Sequence, residues 1–363
     1  MARFGALAVL AALAATCLCA SAARHPPPPH SLPPPISRPL ASSASSASAA
    51  AAAAAAFGAI PSAPRWPFEL CESPSPGGRP ARGEGPDLRF GLEWHYFTGQ
   101  LRGASSGASY GFELTFFRSG VCSPKGMPPD ELLQGAVVHV ALTEVASGTY
   151  TSAQYVAAAG AGLTMRGDTA GEPLSLALEG GEAAVRQARD PPPGAYAGFQ
   201  LKGVAGGAAS FELSACDTFG EVAEGAGGFA RTGPGKSDTT YYYSRPVLRV
   251  NGTVRGAGGG AELAEGTAWM DRQLWRWPSA LPTSTAEGVD GGWSWFGAHL
   301  SSGAALELSV LRGGAGQAAR SGGTLFVPRG DSAPPAAYLL EGGCVGVEVT
   351  ARWESPRTGA VYP

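Results

Sequence analysis

The chain has no basic tract, no CxxC pair and no histidine at a zinc-ligand spacing from a cysteine. Those absences set aside nucleic-acid binding and the usual structural zinc sites. There is no strand–turn–helix serine elbow and no P-loop. The glycine clusters at 256–260 and 313–316 lack a strand–helix setting, so they read as hairpin turns. Helical periodicity is missing as well. With 53 Gly and 31 Pro among 363 residues, and many short apolar runs, the composition argues against helical bundles and suits an all-β chain rich in turns. Acids are absent from the first 68 residues, which hold Arg3, Arg24, Arg38 and Arg65. The formal charge of −3 therefore hides a body at −7. Only one asparagine occurs, Asn251, within the sequon Asn251-Gly252-Thr253, which matters if the chain is exported.

The one long apolar run is N-terminal. MARF followed by GALAVLAALAATCLCASAA has a basic start, an apolar stretch and a small-residue site ending at Ala22. Residues 1–23 thus have the layout of a secretory signal peptide, too short for a comfortable membrane span. Residues 24–65 are rich in Pro, Ala and Ser and form a linker without a fold of its own. The acid-free leader as a whole also suits an organellar transit peptide, plastid included. Export to the secretory lumen and import into an organelle both stay open. Cys71, Cys122, Cys216 and Cys344 follow the same fork, as one or two disulfides in the first case and buried thiols in the second.

Period-two patterning begins at Gly91 with GLEWHYFTGQL. YGFELTFF is cleaner, with Tyr110, Phe112, Leu114 and Phe116 on one face and Gly111, Glu113 and Thr115 on the other, until Phe117 ends the alternation. AVVHVALTEV, LSLALEG, AGFQLKGV and ASFELSAC continue it, and PVLRVNGTV with ELAEGTAWMD reads as a hairpin pair. The stretch from Thr149 to Val156 carries a weak signal for a turn of helix. After a polar linker, GWSWFGAHLSSGAALELSVLR predicts a second hairpin, and GGTLFVPRG, AAYLLEG and VGVEVTARW extend it. Many short strands without helices between them mean a barrel or sandwich.

Aromatic residues concentrate between Tyr241 and Trp295, which hold five of the eight tryptophans and one acid in an aromatic setting, Asp271. A carboxyl buried among indoles keeps its proton at neutral pH, and aromatic faces stabilise a carbocation. Trp269 and Asp271, two apart, share a strand face. The competing reading pairs Asp271 with Arg272 or Arg276 as a structural ion pair. In the first strand Glu93 and His95 share one face, and Trp94 and Tyr96 the other. Glu93 and His95 offer a second acid/base group, while Trp94 also fits a plug for the end of a barrel. Tyr242 points opposite to Tyr241 and Tyr243, and Arg245 suits the polar end of a substrate. Trp293 and Trp295 share a face that fits a contact between two domains. His139 and His299 read as packed or surface residues, and no metal site is expected.

Taken together, EWHYFTGQL with YGFELTFF, YYYSRPVLRVNGTV, GTAWMDRQLW and GWSWFGAHLSSG resemble the AttH/hydroxyneurosporene-synthase family, the carotenoid 1,2-hydratase (CrtC-like) group of lipocalin-like proteins. The resemblance covers about residues 91–312. It implies an all-β chain of two tandem lipocalin-like β-barrel domains, at 66–280 and 288–363. The family's closing Trp-rich strand pair is missing from the second, which makes that unit read as cut short. It implies a cofactor-free hydratase, isomerase or cyclase acting on an isoprenoid or polyene, with Asp271 as the acid beside Trp269. Glu93 and His95 join that catalytic set. Trp94, Tyr96, Tyr242, Tyr243, Arg245, Arg272, Trp293 and Trp295 are the expected substrate-binding residues. The expected partners are a lipophilic small molecule and a membrane surface touched transiently. The alternative is a non-catalytic carrier of the same fold.

Overall fold

Each period-two stretch through AAYLLEG becomes a strand, and those of the first part of the chain run around a wall. The computed structural model describes residues 85–363, apart from 121–133, 160, 168–171, 226, 232–238, 276–292, 313–317, 329–334, 342–344, 357–358 and 363. The leader and linker expected over residues 1–65 therefore lie outside the described residues, with Arg276, Cys71, Cys122 and Cys344. Cys216 is a free thiol.

The wall begins with β1 (Leu92–Gly103), β2 (Ser109–Gly120), β3 (Gln134–Glu144) and β4 (Thr149–Ala159). The weak helical signal at Thr149–Val156 is overridden here. The stretch pairs along β3 with alternating exposure, because cross-strand partners outweigh a weak local preference. β5 (Gly162–Arg166) joins β4 in the one parallel pairing among the described residues. β6 (Ser175–Leu178), β7 (Ala183–Gln187), β8 (Ala197–Gly206) and β9 (Ala209–Asp217) follow. Two short strands, β10 (Val222–Ala223) and β11 (Phe229–Arg231), lead to β12 (Thr239–Arg255) and β13 (Ala261–Trp275).

β13 pairs with β1, and β12 pairs with both β13 and β9, so the wall closes into an eleven-stranded barrel. Pro246 lies where the β12–β13 register shifts, between Arg245 and Leu248, as expected for a residue that cannot donate to a ladder. The half of β12 before this bulge accepts β10 and β11, and the half after it accepts β9.

The lumen is filled. Phe97, Phe112, Phe116, Phe199, Phe211 and Tyr243 interlock with leucines and valines into one continuous apolar cluster. Beside it lies a buried polar knot. Arg272 Nε and Arg118 Nε each donate to Glu93, at 2.7 and 3.1 Å, and Arg118 also reaches Gln134 and the carbonyls of Asp87 and Phe90. Burial alone would raise Glu93. The charge of Arg272, with His95 and Arg118, overrides it and holds the carboxyl at about 2.

Beyond residue 292 the chain forms an open antiparallel sheet of β14 (Trp293–His299), β15 (Ala305–Arg312), β16 (Ala318–Val327) and β17 (Ala336–Glu341). Among the described residues this open sheet stands where a second, cut-short barrel domain was expected. VGVEVTARW was expected as a further strand. Only Trp353–Glu354 (β18) pairs, with Val361–Tyr362 (β19), and both are exposed. No helix among the described residues is long and apolar enough to cross a membrane.

Candidate active site at the sheet–barrel seam

Strand alternation sorts the expected site residues into two groups. On β13, Met270 and Arg272 point into the lumen, and Trp269, Asp271 and Trp275 point out. On β1, Glu93, His95 and Phe97 point in, and Trp94 and Tyr96 point out toward β14. Tyr241 and Tyr243 pack with the lumen cluster, while the Tyr242 hydroxyl donates to Asp271. The outer group, Asp271, Trp269, Tyr242, Tyr96, Trp94, Trp293 and Trp295, is brought together between barrel and sheet.

The inner group is separated from it by the wall. Glu93 and His95 therefore do not join Asp271, because they occupy the opposite face of a strand. Arg272 and Tyr243 belong to the lumen knot. Arg245 is held by Asp217 Oδ2 at 2.5 Å and by Glu221 at 3.3 Å. Trp94 is not a barrel plug. It packs outside the wall against Trp275, Phe117 and Trp293, with the last ring within 9° of parallel. The barrel end is occupied instead by the Glu93 knot.

The sheet meets this wall with one face. Ala305 on β15 stands opposite Phe326 on β16, and Glu307 opposite Thr324. Ala305 and Phe326 pack with Trp269, Phe219 and Val222 of the barrel side, and Trp295 lies edge-on to both Trp269 and Tyr96. Gly297 lets the Trp295 ring lie across its backbone, since a Cβ there would sit 2.5 Å from the indole. His299 stacks on Trp269 and meets the Pro246 carbonyl at 2.6 Å.

Asp271 sits within this aromatic shell, 3% exposed. Trp269 Nε1 and Ser244 Oγ donate to its Oδ1, each at 2.6 Å, and the Tyr242 hydroxyl donates to Oδ2 at 2.9 Å. Trp295 Nε1 donates in turn to the Tyr242 oxygen at 3.1 Å. The ion-pair reading does not hold among the described residues: Arg272 faces the lumen, and no cation pairs with Asp271. Burial pushes the carboxyl up from 3.8 to about 6, against the pull of its three donors. Tyr242 is raised well above its ordinary range by burial and by the Asp271 charge, so it stays a neutral donor.

Two further acids complete the cluster, and neither was expected from the sequence. Glu224 follows β10, 2% exposed, and Ser244 Oγ lies 2.8 Å from its Oε1 while Thr324 of the sheet donates to its Oε2. Burial, reinforced by the Asp271 charge, pushes Glu224 up to about 8. Glu307 of the sheet, 3% exposed and bonded by Ser309, is raised well above the carboxylate range by burial and by Glu224. Three buried carboxyls thus share one region of low dielectric, with no cation paired to them among the described residues.

Across the strands that build this seam, the AttH-like family model matches residues 80–363. The chain belongs to the AttH-like family. This AttH-like protein is similar to a solved AttH candidate from Nitrosomonas europaea, with a TM-score of 0.61 at 26% identity over 80% of this chain and 82% of that one. It is also similar to kievitone hydratase from Nectria haematococca, with a TM-score of 0.50 over 81% and 78% of the two chains. Identity there is 15%, so that likeness bears on the fold alone. Comparison with curated proteins gives no match.

Glu224 and Glu307 escaped the AttH-like motifs for definite reasons. Glu224 stands in the glycine-rich turn EVAEGAGG, where an acid ordinarily means solvent. Glu307 lies between two leucines, and alternation sends it to the face opposite theirs, which reads as the wet side of a sheet. That face is the one applied to the barrel.

Proposed function

We propose that this AttH-like protein is a cofactor-free hydratase, isomerase or cyclase acting on a lipophilic isoprenoid- or polyene-like substrate, with Asp271 as the acid. The observation that carries this reading is the cluster of Asp271, Glu224 and Glu307, buried under an aromatic shell without a paired cation among the described residues. Burial holds Glu224 and Glu307 protonated near neutral pH and lifts Asp271 to about 6, and a dry site strengthens their action.

Asp271 gives its proton to an alkene carbon, whose π pair forms the new C–H bond. The cation left on the neighbouring carbon develops beside the faces of Trp269, Trp295, Tyr96 and Tyr242, whose quadrupoles favour positive charge. Water then completes a hydration and returns a proton to the carboxylate. Loss of an adjacent proton gives isomerisation, and attack by a second double bond gives cyclisation. Trp275 supports an oxygen-bearing end on the substrate: its buried Nε1–H has no acceptor among the described residues and adjoins the stacked Trp94 and Trp293.

A second reading is a non-catalytic carrier. It is favoured by the fact that protein donors already occupy both oxygens of Asp271. Incubation with a panel of polyenes and terpenoid alkenes in deuterated water separates the two. The enzyme reading expects deuterium on carbon in a product, lost in Asp271→Asn with binding retained. Binding unchanged by Asp271→Asn, with no turnover across the panel, leaves the carrier.

A further inference from the structure

Ser244 touches two acids at once. Its Oγ lies 2.6 Å from Asp271 Oδ1 and 2.8 Å from Glu224 Oε1. A serine hydroxyl carries one proton, so it donates to only one of them, and the other contact needs a proton on the carboxyl itself. The surroundings fix the direction. Asp271 already accepts from Trp269 Nε1, which is donor only, and from Tyr242, so it is the accepting end. Glu224 accepts from Thr324 on Oε2, which leaves Oε1 to carry the proton toward Ser244. We propose that Glu224, Ser244 and Asp271 form a proton relay in which Glu224 is a positioning residue that reloads Asp271.

The step balances without a co-reactant. The Glu224 O–H bond breaks as a new Ser244 O–H forms, and the former Ser244 proton passes to Asp271 Oδ1. The negative charge moves from Asp271 to Glu224, and no proton enters or leaves. The relay rests on the assignment of Asp271 as the acid, and it explains how a carboxyl with three donors turned on it can be recharged. Among the described residues the other titratable groups facing the relay are Tyr242 from β12 and Tyr96 from β1, both neutral, and Glu307 from β15, whose ionised form would oppose a second anion. Glu224 holds its proton to about 8 and Asp271 to about 6, so the resting proton sits on Glu224, and its passage to Asp271 is uphill by about a hundredfold.

The test needs no substrate. Full-length protein labelled with 13C at the Asp and Glu carboxyls is titrated by NMR, as wild type, Ser244→Ala and Glu224→Leu. Ser244→Ala removes both the donor that favours the Asp271 anion and the acceptor that favours neutral Glu224. The relay expects the Asp271 transition to rise and the Glu224 transition to fall, by roughly one unit each. Both rising together, or neither moving, overturns it. Should Ser244→Ala not fold, Glu224→Leu decides. The relay expects Asp271 to stay where it is, because Ser244 already donates to it, whereas a fall of roughly one unit shows that the hydroxyl had been turned to Glu224. Unlinked titrations with turnover still lost in Asp271→Asn remove the relay and leave the acid role. Linked titrations support the relay even if no alkene is turned over.

Discussion

Glu224→Gln isolates the energetic consequence of a buried carboxyl that keeps its proton. The native pKa of Glu224 is about 8, against 4.5 for an unperturbed glutamate. Between those values the folded chain holds a proton that the unfolded chain has released, so stability falls as pH rises. The contribution is fully present below 4.5 and is lost as pH passes through about 8. At about 1.4 kcal/mol per unit, the part that falls between pH 5 and pH 8 comes to roughly 3 kcal/mol. Glutamine has the same size and can donate to Ser244 and accept from Thr324, but it does not titrate. Urea unfolding of wild type and Glu224→Gln at pH 5, 6, 7 and 8 measures the difference, because Glu93 contributes alike to both proteins and cancels, while Asp271 and Glu307 feel the Glu224 charge only as it ionises near pH 8. The variant is expected to gain on the wild type by roughly 3 kcal/mol across that range. Parallel curves, or a wild type that gains on the variant, would refute the claim that the seam holds Glu224 neutral.

Glu93→Gln should act in the opposite sense, costing about 3–5 kcal/mol at neutral pH by leaving Arg272 and Arg118 buried without their anion. Its wild-type contribution is present above pH 4.5 and disappears as pH falls through about 2, so acid unfolding should flatten in the variant. Trp269→Phe keeps the ring but deletes the indole donor to Asp271 Oδ1, and the Asp271 transition should move up from about 6 by roughly one unit in carboxyl NMR. Gly266→Ala would place a Cβ 1.9 Å from the Gln100 carbonyl oxygen in the β1–β13 pairing. A loss of about 1–3 kcal/mol should follow, visible as a lowered Tm.

Alternation made much of the barrel legible. Phe112, Leu114 and Phe116 are buried in the lumen as YGFELTFF implies, and the opposed orientation of Tyr242 follows from TYYYS alone. The placement of Asp271 beside Trp269 was equally accessible, since two positions along a strand share a face. What alternation cannot tell is which face meets what. Glu93 and His95 share a face as read, yet that face is the lumen, and their partners Arg118 and Arg272 come from other strands. Glu307 illustrates the converse. The pattern of ALELSVLR separates Leu306 and Leu308 from Glu307 and Ser309, but only the docking of the sheet onto Trp269 decides that the polar side is covered. The bulge at Pro246 had a local cause in the sequence, whereas the branching of β12 onto β9, β10 and β11 did not.

Closure of the barrel has a consequence for how the chain is made. Arg272 and Glu93, which join across the closing pair of strands, are 179 positions apart. During vectorial synthesis β1 emerges early and waits, with an unpaired edge, until β13 has left the ribosome. β9 waits likewise for the second half of β12. Open edges of that kind invite pairing with other nascent chains. Asp271 and Ser244 lie on the two strands that seal these edges, so the final zipping of the wall also delivers the acid and its hydroxyl together. A chain stalled before β12 would carry the hazard of two sticky edges and none of the chemistry.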